Sequence, residues 1–378
     1  MLPAMLQSTS PESIGISTPR LERLYALLNE AVNSGAIPGA AIQIGRYGIV
    51  LTPRVFGRQF PDSASPAMAT DTIFLTASVT KPVTVTAVML LIEQGKLLLD
   101  DPVCAILPEF GNRGKELVTL RHLMTHTSGL PDMLPEDRAL RRQHAPLREF
   151  IQRIYSLELG FSPGSNIQYQ SCGTALLGAI VERISNRSLP DFLRSEIFDP
   201  LGMKDTALGA HGLDASRIAH VNVDAEMQQQ DWGWNTPFWH NFAAPWGGMF
   251  STVGDMQRFC QMFLHSGEMD GVRILSPATV QAMVTDQTSA MPLIAPAIKY
   301  GQSWGLGWRR APTIGWSYFG NLLSPGSYGH GGATGTVVWV DPLQQLVCTL
   351  FTTQPAVSSE RLLGQCSNLV AAAVIESR

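Results

Sequence analysis

Two residues three apart open the chemical reading. Ser78 and Lys81 lie in the stretch DTIFLTASVTKPVTVTAVMLLIEQG, residues 71–95. A serine hydroxyl is a poor nucleophile until a neighbour takes its proton, and a partly desolvated lysine at hydrogen-bond distance can have its pKa lowered enough to help. Pro82 tolerates only the first turn of a helix, so the helix starts close to Ser78. A spacing of three then puts both side chains on one face. The helix N-terminus favours the negative charge that builds on the serine oxygen. Ser-x-x-Lys is equally the pattern of a capping serine and a solvated lysine. Two facts favour chemistry here. The chain has only five lysines. This one opens the most apolar helix, nearly uncharged from Val83 to Gln94, where a charge needs a reason to be.

Three further stretches carry candidate side chains. In FSPGSNIQYQS, residues 161–171, a Pro-Gly turn leads to an extended run ending at Tyr169, and a helix follows from Ser171. A tyrosine there can be a structural rim residue; beside a lysine ammonium it can be held as a phenolate and serve as a base. The run His330-Gly331-Gly332-Ala333 places paired glycines in a strand pattern, which lets a backbone or a ligand approach closely. Such a strand edge could offer the Ala333 amide to a developing oxyanion. The stretch Trp232 to Trp246, with Trp239 between, either walls an acyl pocket above Ser78 or forms a satellite core under a long loop.

Gly160-Phe161-Ser162-Pro163-Gly164 matches the Gly-x-Ser-x-Gly nucleophile elbow. Pro163 excludes that reading, because the residue after the nucleophile must donate its N–H to the oxyanion and proline has none. The elbow also needs a preceding strand, whereas Phe150 to Leu159 reads as helix.

The positioning elements follow from periodicity. Pro19 to Asn33 is an amphipathic helix, and Ala40 to Leu51 reads as two strands about a turn. Helical patterns cover Val118–Thr127, Glu136–Arg142, Phe150–Leu157, Ser171–Ile184 and Leu189–Phe198, and return at Val253–Ser266 and Pro277–Asp286. The C-terminal part is strand-like at Gly305–Trp308, Tyr328–His330, Gly335–Val340 and Gln345–Thr352, before a last helix over Ser359–Ile375. Strands at both ends with helices between predict an α/β fold: an antiparallel sheet flanked by helices and built from both termini, residues 1–99 and 205–378. A mostly helical domain, residues 100–204, is inserted into it.

Ser78-x-x-Lys81, Tyr169-x-Ser171 and His330-Gly331-Gly332, in that order, resemble the serine β-lactamase and penicillin-binding-protein superfamily, most of all class C β-lactamases and the family VIII carboxylesterases. The stretches 91–103, 118–130, 200–206, 247–255 and 328–335 carry the likeness over nearly the whole chain. The resemblance implies Ser78 as nucleophile, Lys81 as its activating neighbour and Tyr169 as the base that takes the serine proton and returns it to the leaving group. It implies an oxyanion hole from the amides of Ser78 and Ala333, and Ser171, His330, Gly331 and Gly332 at the substrate. Two departures matter. Ser171 stands where Tyr-x-Asn has the longer asparagine, and His330-Gly331-Gly332 stands for Lys-Thr-Gly. The missing lysine would pair the carboxylate of a β-lactam or peptide, a loss of about 2–5 kcal/mol where the pairing is desolvated. The implied activity is hydrolysis of neutral esters of short to medium acyl chain. β-Lactamase, D-amino-acid peptidase and acyltransferase activities are the catalytic alternatives, and a non-catalytic binding protein is the alternative of another class.

Composition excludes other roles. With 27 Lys and Arg against 31 Asp and Glu, the chain has a net charge of −4 and no basic stripe, so nucleic acid is not the expected partner. The five cysteines are scattered, without Cys-x-x-Cys or metal-ligand spacing, which predicts neither a disulfide framework nor a metal or other cofactor. The N-terminal stretch lacks a basic, then apolar, signal pattern, and no apolar run is long enough to span a bilayer. The expectation is a cytoplasmic protein acting on a small-molecule ester, with no membrane partner.

Overall fold

The computed structural model describes residues 10–62, 64–311 and 317–375. Helix α1 (Thr18–Asn33) precedes strands β1 (Gly39–Arg46), β2 (Ile49–Val50) and β3 (Arg54–Gly57). Strand β4 (Phe74–Leu75) leads into the long helix α2 (Thr80–Glu93). Short helices follow: α3 (Val103–Ile106), α4 (Leu120–Met124), α5 (Asp137–Arg142) and α6 (Leu147–Tyr155), then the longer α7 (Ser171–Ser185) and α8 (Leu189–Leu193). Strand β5 (Ala207–Leu208), helices α9 (Ala225–Gln228) and α10 (Pro237–Phe242), strand β6 (Met249–Ser251) and helix α11 (Val253–Leu264) come next. After the hairpin β7 (Glu268–Met269) and β8 (Val272–Arg273) lie α12 (Pro277–Val284), α13 (Pro296–Gly301), β9 (Arg309–Arg310), β10 (Tyr328–Gly332), β11 (Thr336–Asp341), β12 (Leu346–Thr352) and α14 (Ala356–Ala373).

Among the described residues the main sheet has seven strands, in the order β2-β1-β12-β11-β10-β9 with β3 also on β1. All these pairings are antiparallel. Strand β1 from the N-terminal side lies against β12 from the C-terminal side, Ala40 opposite Thr352 through to Arg46 opposite Leu346. Alternation along each strand feeds two cores. Ile42, Ile44, Val337, Trp339, Cys348 and Leu350 face α1 and α14. Ala41, Val338, Val340, Val347 and Phe351 belong to the core that also holds α2, α7, α8 and α11. Both faces are covered, so these strands read as near-continuous apolar runs rather than alternating ones.

The second core is continuous from the sheet through α2 to α7, α8 and the aromatic segment around α10. Helix α2 is buried along its length from Thr80 to Leu91. That is why its sequence shows no polar face.

Two local expectations are corrected. Gly305–Trp308 is a turn, not a strand. Gly307 adopts φ +76°, its amide donates to the Met124 carbonyl at 3.0 Å, and a Cβ there would sit 2.8 Å from Val85 of α2. Glycine is present for that close passage, and strand pairing starts only at Arg309. The helix expected to reach Leu159 ends at Tyr155. No helix among the described residues is long and apolar enough to cross a membrane.

Candidate active site

A three-stranded sheet, β4-β6-β5, delivers the nucleophile. Phe74 and Leu75 pair with Ser251 and Phe250, and the Thr76 amide and hydroxyl both donate to the Met249 carbonyl at 2.9 Å. The chain then turns through Ala77, a non-glycine residue at φ +46°. Backbone held in that left-handed region costs about 1–3 kcal/mol and persists only where the surroundings over-determine it. Here Thr80 Oγ1 donates to the Ala77 carbonyl at 2.6 Å and accepts from the Met249 amide at 3.1 Å. Ser78 follows in a single 3-10 turn, 77–79, at the mouth of α2.

Lys81 is 1 % exposed. Its Nζ donates to Ser78 Oγ at 3.1 Å and to the Trp246 carbonyl at 3.0 Å. Burial pushes its pKa down from 10.5 to about 7, against the opposing pull of the Asp132 carboxylate. The amine is therefore substantially neutral near neutral pH, as a proton acceptor must be.

Tyr169 lines the same cleft as Ser78. Lys81 Nζ stands over the Tyr169 ring face, 4.6 Å from its centroid. Burial raises the Tyr169 pKa well above its ordinary value. The amine faces the ring and desolvation dominates, so the group rests as a phenol and not as the phenolate that a neighbouring ammonium could hold.

The loop from β10 to β11 is stitched to the nucleophile strand. Thr334 Oγ1 donates to the Leu75 carbonyl at 2.6 Å and Thr336 Oγ1 to the Thr76 carbonyl at 2.8 Å. The glycines have separate reasons. A Cβ on Gly332 would lie 2.2 Å from the Thr76 carbonyl oxygen, and one on Gly331 2.7 Å from the Tyr318 ring. Among the described residues, neither the Ser78 nor the Ala333 N–H donates to a backbone carbonyl outside regular elements. Both residues line one cleft of about 550 Å³ with Tyr169, Trp304, Arg309, Tyr318 and Gly332.

Four expected contact residues lie elsewhere. His330 is buried behind Tyr169, with ring centroids 6.0 Å apart, and its Nδ1 lies 2.7 Å from the Gly331 carbonyl. Burial and the nearby Lys81 lower its pKa to about 3, so the imidazole is neutral. Ser171 is also turned away: its amide and hydroxyl donate to Asp132 Oδ1 at 2.9 and 2.7 Å, because the short side chain is captured by the adjacent loop. Trp239 and Trp246 do not wall the cleft. Trp246 packs on Phe150 and Phe242, Trp239 on Phe242, and Arg141 stacks over Trp239 at 4.5 Å. Their indoles belong to the core, and only the Trp246 carbonyl serves the site. Ser162 is exposed on a turn, where the Ser165 hydroxyl donates to its carbonyl.

Residues without a sequence signal complete the site. His126, at φ +60°, holds the irregular segment that carries Tyr169: its carbonyl accepts from the Gln168 amide at 2.9 Å and its Nδ1 from the Gln170 amide at 3.2 Å. Its ring packs 4.7 Å from Tyr169 and 4.2 Å from Trp304. Burial keeps it neutral. Trp304, Tyr318 and Arg309 come from stretches that show only strand and turn patterns. Among the described residues no cluster of His, Cys, Asp and Glu could hold a metal.

This arrangement, a serine hydrogen-bonded to a buried amine and sharing its cleft with a phenol, is that of a serine hydrolase. The chain belongs to the beta-lactamase family, whose model matches residues 24–364. It is similar to penicillin-binding protein 4 of Amycolatopsis lactamdurans, 31% identical over 313 residues that cover 79% of this chain and 75% of that one. It is also similar to esterase EstB of Burkholderia gladioli, 38% identical over 214 residues, 52% of this chain and 54% of the relative. Among solved structures, EstCE1, a hydrolase with promiscuous acyltransferase activity, superposes with a TM-score of 0.76 at 22% identity, covering 93% of this chain and 98% of that chain. The β-lactamase and penicillin-binding-protein fold, an antiparallel sheet with helices, is the fold of this protein.

Proposed function

We propose that the protein is a serine carboxylesterase that cleaves esters of short to medium acyl chain through an acyl-enzyme on Ser78. The observation that carries this reading is the amine of Lys81, buried and 3.1 Å from Ser78 Oγ, in a cleft that Trp304, Tyr318 and Leu363 line with apolar surface. Ser78 Oγ attacks the ester carbonyl and its proton passes to Lys81. The carbonyl oxygen, now negative, is held by the amides of Ser78 and Ala333. Tyr169 gives its phenolic proton to the departing alcohol and regains one from Lys81. Water then attacks the acyl-enzyme with the same proton route reversed, releasing the acid and Ser78. His330 is neutral and buried, so the position of the superfamily's lysine supplies no cation to a β-lactam or peptide carboxylate, which favours esters; the charge among the described lining residues is Arg309 on β9. The esterase relative supports the same choice.

A fluorophosphonate probe with adduct mapping, beside an ester chain-length series run against nitrocefin and a D-alanyl-D-alanine peptide, tests the proposal. The adduct is expected on Ser78, and Ser78→Ala is expected to abolish hydrolysis while Ser162→Ala retains most of it. An adduct on Ser162, or efficiency on nitrocefin or the peptide equal to that on the best ester, refutes the reading.

A further inference from the structure

Trp232 and Trp234 line a second cleft, of about 280 Å³, that shares no lining residue with the one at Ser78. One wall is α5, with Asp137, Arg138 and Arg141; the other is the segment 224–234. Asn235 closes that segment into a loop: its side chain accepts from the Val221 amide at 2.9 Å and donates to the Val221 carbonyl at 2.8 Å. Within the loop Asp224 caps α9, accepting from the Met227 amide at 2.8 Å. The Thr236 hydroxyl donates at 2.7 Å to the carbonyl of Gly233, the residue between the two tryptophans. On the facing wall Arg141 pairs with Asp137 at 3.0 Å and lies 4.5 Å over the Trp239 ring. Both walls are therefore held by their own bonds.

What they leave unused is specific. Trp234 packs partly on the core, whereas Trp232 does not. Among the described residues the half-buried Trp232 ring has no ring partner and its N–H no acceptor. Gln230 Oε1 is buried and no protein donor reaches it; a buried acceptor without a donor costs free energy. Arg138 and Glu226 form no ion pair among the described residues. An indole face, a guanidinium, a carboxylate and an amide are all planar. Set around one small volume, they match a ring with hydroxyls on its rim and C–H groups on its faces. Neighbouring hydroxyls meet the two-pronged ends of Arg, Glu and Gln, and the C–H face covers the indole. The charges select a neutral ring. With Asp137 tied to Arg141, Arg138 opposes a cation, and Asp224 and Glu226 oppose an anion. The volume lies at the lower edge of ligand pockets, room for one ring rather than an extended chain.

We propose that the cleft between α5 and the 221–235 loop binds a neutral pyranose, stacked on Trp232 and held through its hydroxyls by Arg138, Glu226 and Gln230. The site is separate from the Ser78 chemistry. The crevice that shares Asp137 with it and runs to Trp246 is about 10 Å³, too small for a sugar to pass. The ring has two sources, a free sugar or the end of a glycan. Methyl glycosides, which carry the glycan's linkage without its length, separate them: undiminished binding identifies a glycan end, and lost binding a free sugar.

Saturation-transfer-difference NMR on the full-length protein is run with glucose, galactose, mannose and N-acetylglucosamine, with the methyl glycosides of both anomers, and with glucuronate and glucosamine as charged counterparts. At least one neutral sugar is expected to give a saturable signal, strongest on one C–H face, with a Kd on the order of millimolar for about twelve non-hydrogen atoms. Glucuronate and glucosamine should bind more weakly than that sugar. Trp232→Ala should weaken binding ~tenfold or more, and Glu226→Gln and Gln230→Ala each ~fivefold or more. All three variants should hydrolyse p-nitrophenyl butyrate at the wild-type rate, which also shows that they are folded. No saturable signal from any neutral sugar, tighter binding of a charged counterpart, or undiminished binding in a fully active Trp232→Ala variant overturns the proposal. Should Trp232→Ala fail to fold, undiminished binding in both Glu226→Gln and Gln230→Ala overturns it equally. The Ser78 esterase reading stands or falls on its own assay.

Discussion

The pH dependence of catalysis should report Lys81. Its pKa falls from 10.5 to about 7 on burial. At about 1.36 kcal/mol per pKa unit, the interior disfavours the ammonium by about 5 kcal/mol relative to water. Two consequences follow from one number. First, the free base is the active form, so kcat/KM on a neutral ester should rise with pH along a limb centred near 7 and flatten above it. Were Tyr169 phenolate the base, the limb would instead lie above pH 10, since burial raises that pKa. Asp132 pulls the Lys81 pKa upward, so Asp132→Asn should move the limb to lower pH. Second, the lysine carries a proton in the unfolded chain between pH 7 and 10.5 and largely lacks it in the folded one. Stability contributed by this group therefore rises with pH across that window, and its full penalty is present below pH 7. Lys81→Met should be inactive yet gain more in Tm over the wild type at pH 6 than at pH 9. The assay is a stopped-time ester hydrolysis series from pH 5 to 10 with parallel thermal melts. A profile flat through neutrality, or a limb near 10, refutes the assignment of Lys81 as proton acceptor.

Tyr169→Phe should lower kcat by ~10²–10⁴-fold with modest change in KM, because it removes a proton route and no packing; near-normal turnover would assign the leaving-group proton elsewhere. Gly332→Ala should lose activity through the oxyanion hole, since the added methyl meets the Thr76 carbonyl at 2.2 Å and must displace Ala333 or Ser78; fluorophosphonate labelling rates read this directly. Trp239→Leu should leave the ester chain-length preference in place and cost stability, on the order of 2–4 kcal/mol for a truncated core aromatic. A shifted chain-length optimum without loss of stability would return Trp239 to the cleft wall.

Much of this protein is written locally. The spacing Ser78 to Lys81, Pro82 one residue on and the uncharged run behind them determine a buried helix with a serine and an amine on one face, because helical geometry brings residues three apart together whatever the rest of the chain does. The strand patterns at the two ends, with helices between, determine the sheet class, and Pro163 alone disqualifies Ser162. Tertiary structure decided what depends on residues far apart in sequence. Whether Lys81 is neutral depends on the Trp246 carbonyl and on burial that α7 and the aromatic segment complete. Whether His330 faces substrate depends on what packs over it: Gly331 and Gly332 line the cleft, whereas the His330 ring is buried against Tyr169 and Trp304. Ser171 shows the same limit, since its partner Asp132 lies 39 positions earlier. The tryptophans were legible as an aromatic cluster but not as core, because composition records apolar surface and only packing says what covers it. Arg309 carried no local signal at all: a single arginine in a short strand acquires meaning from the cleft that β10, Tyr318 and α14 close around it.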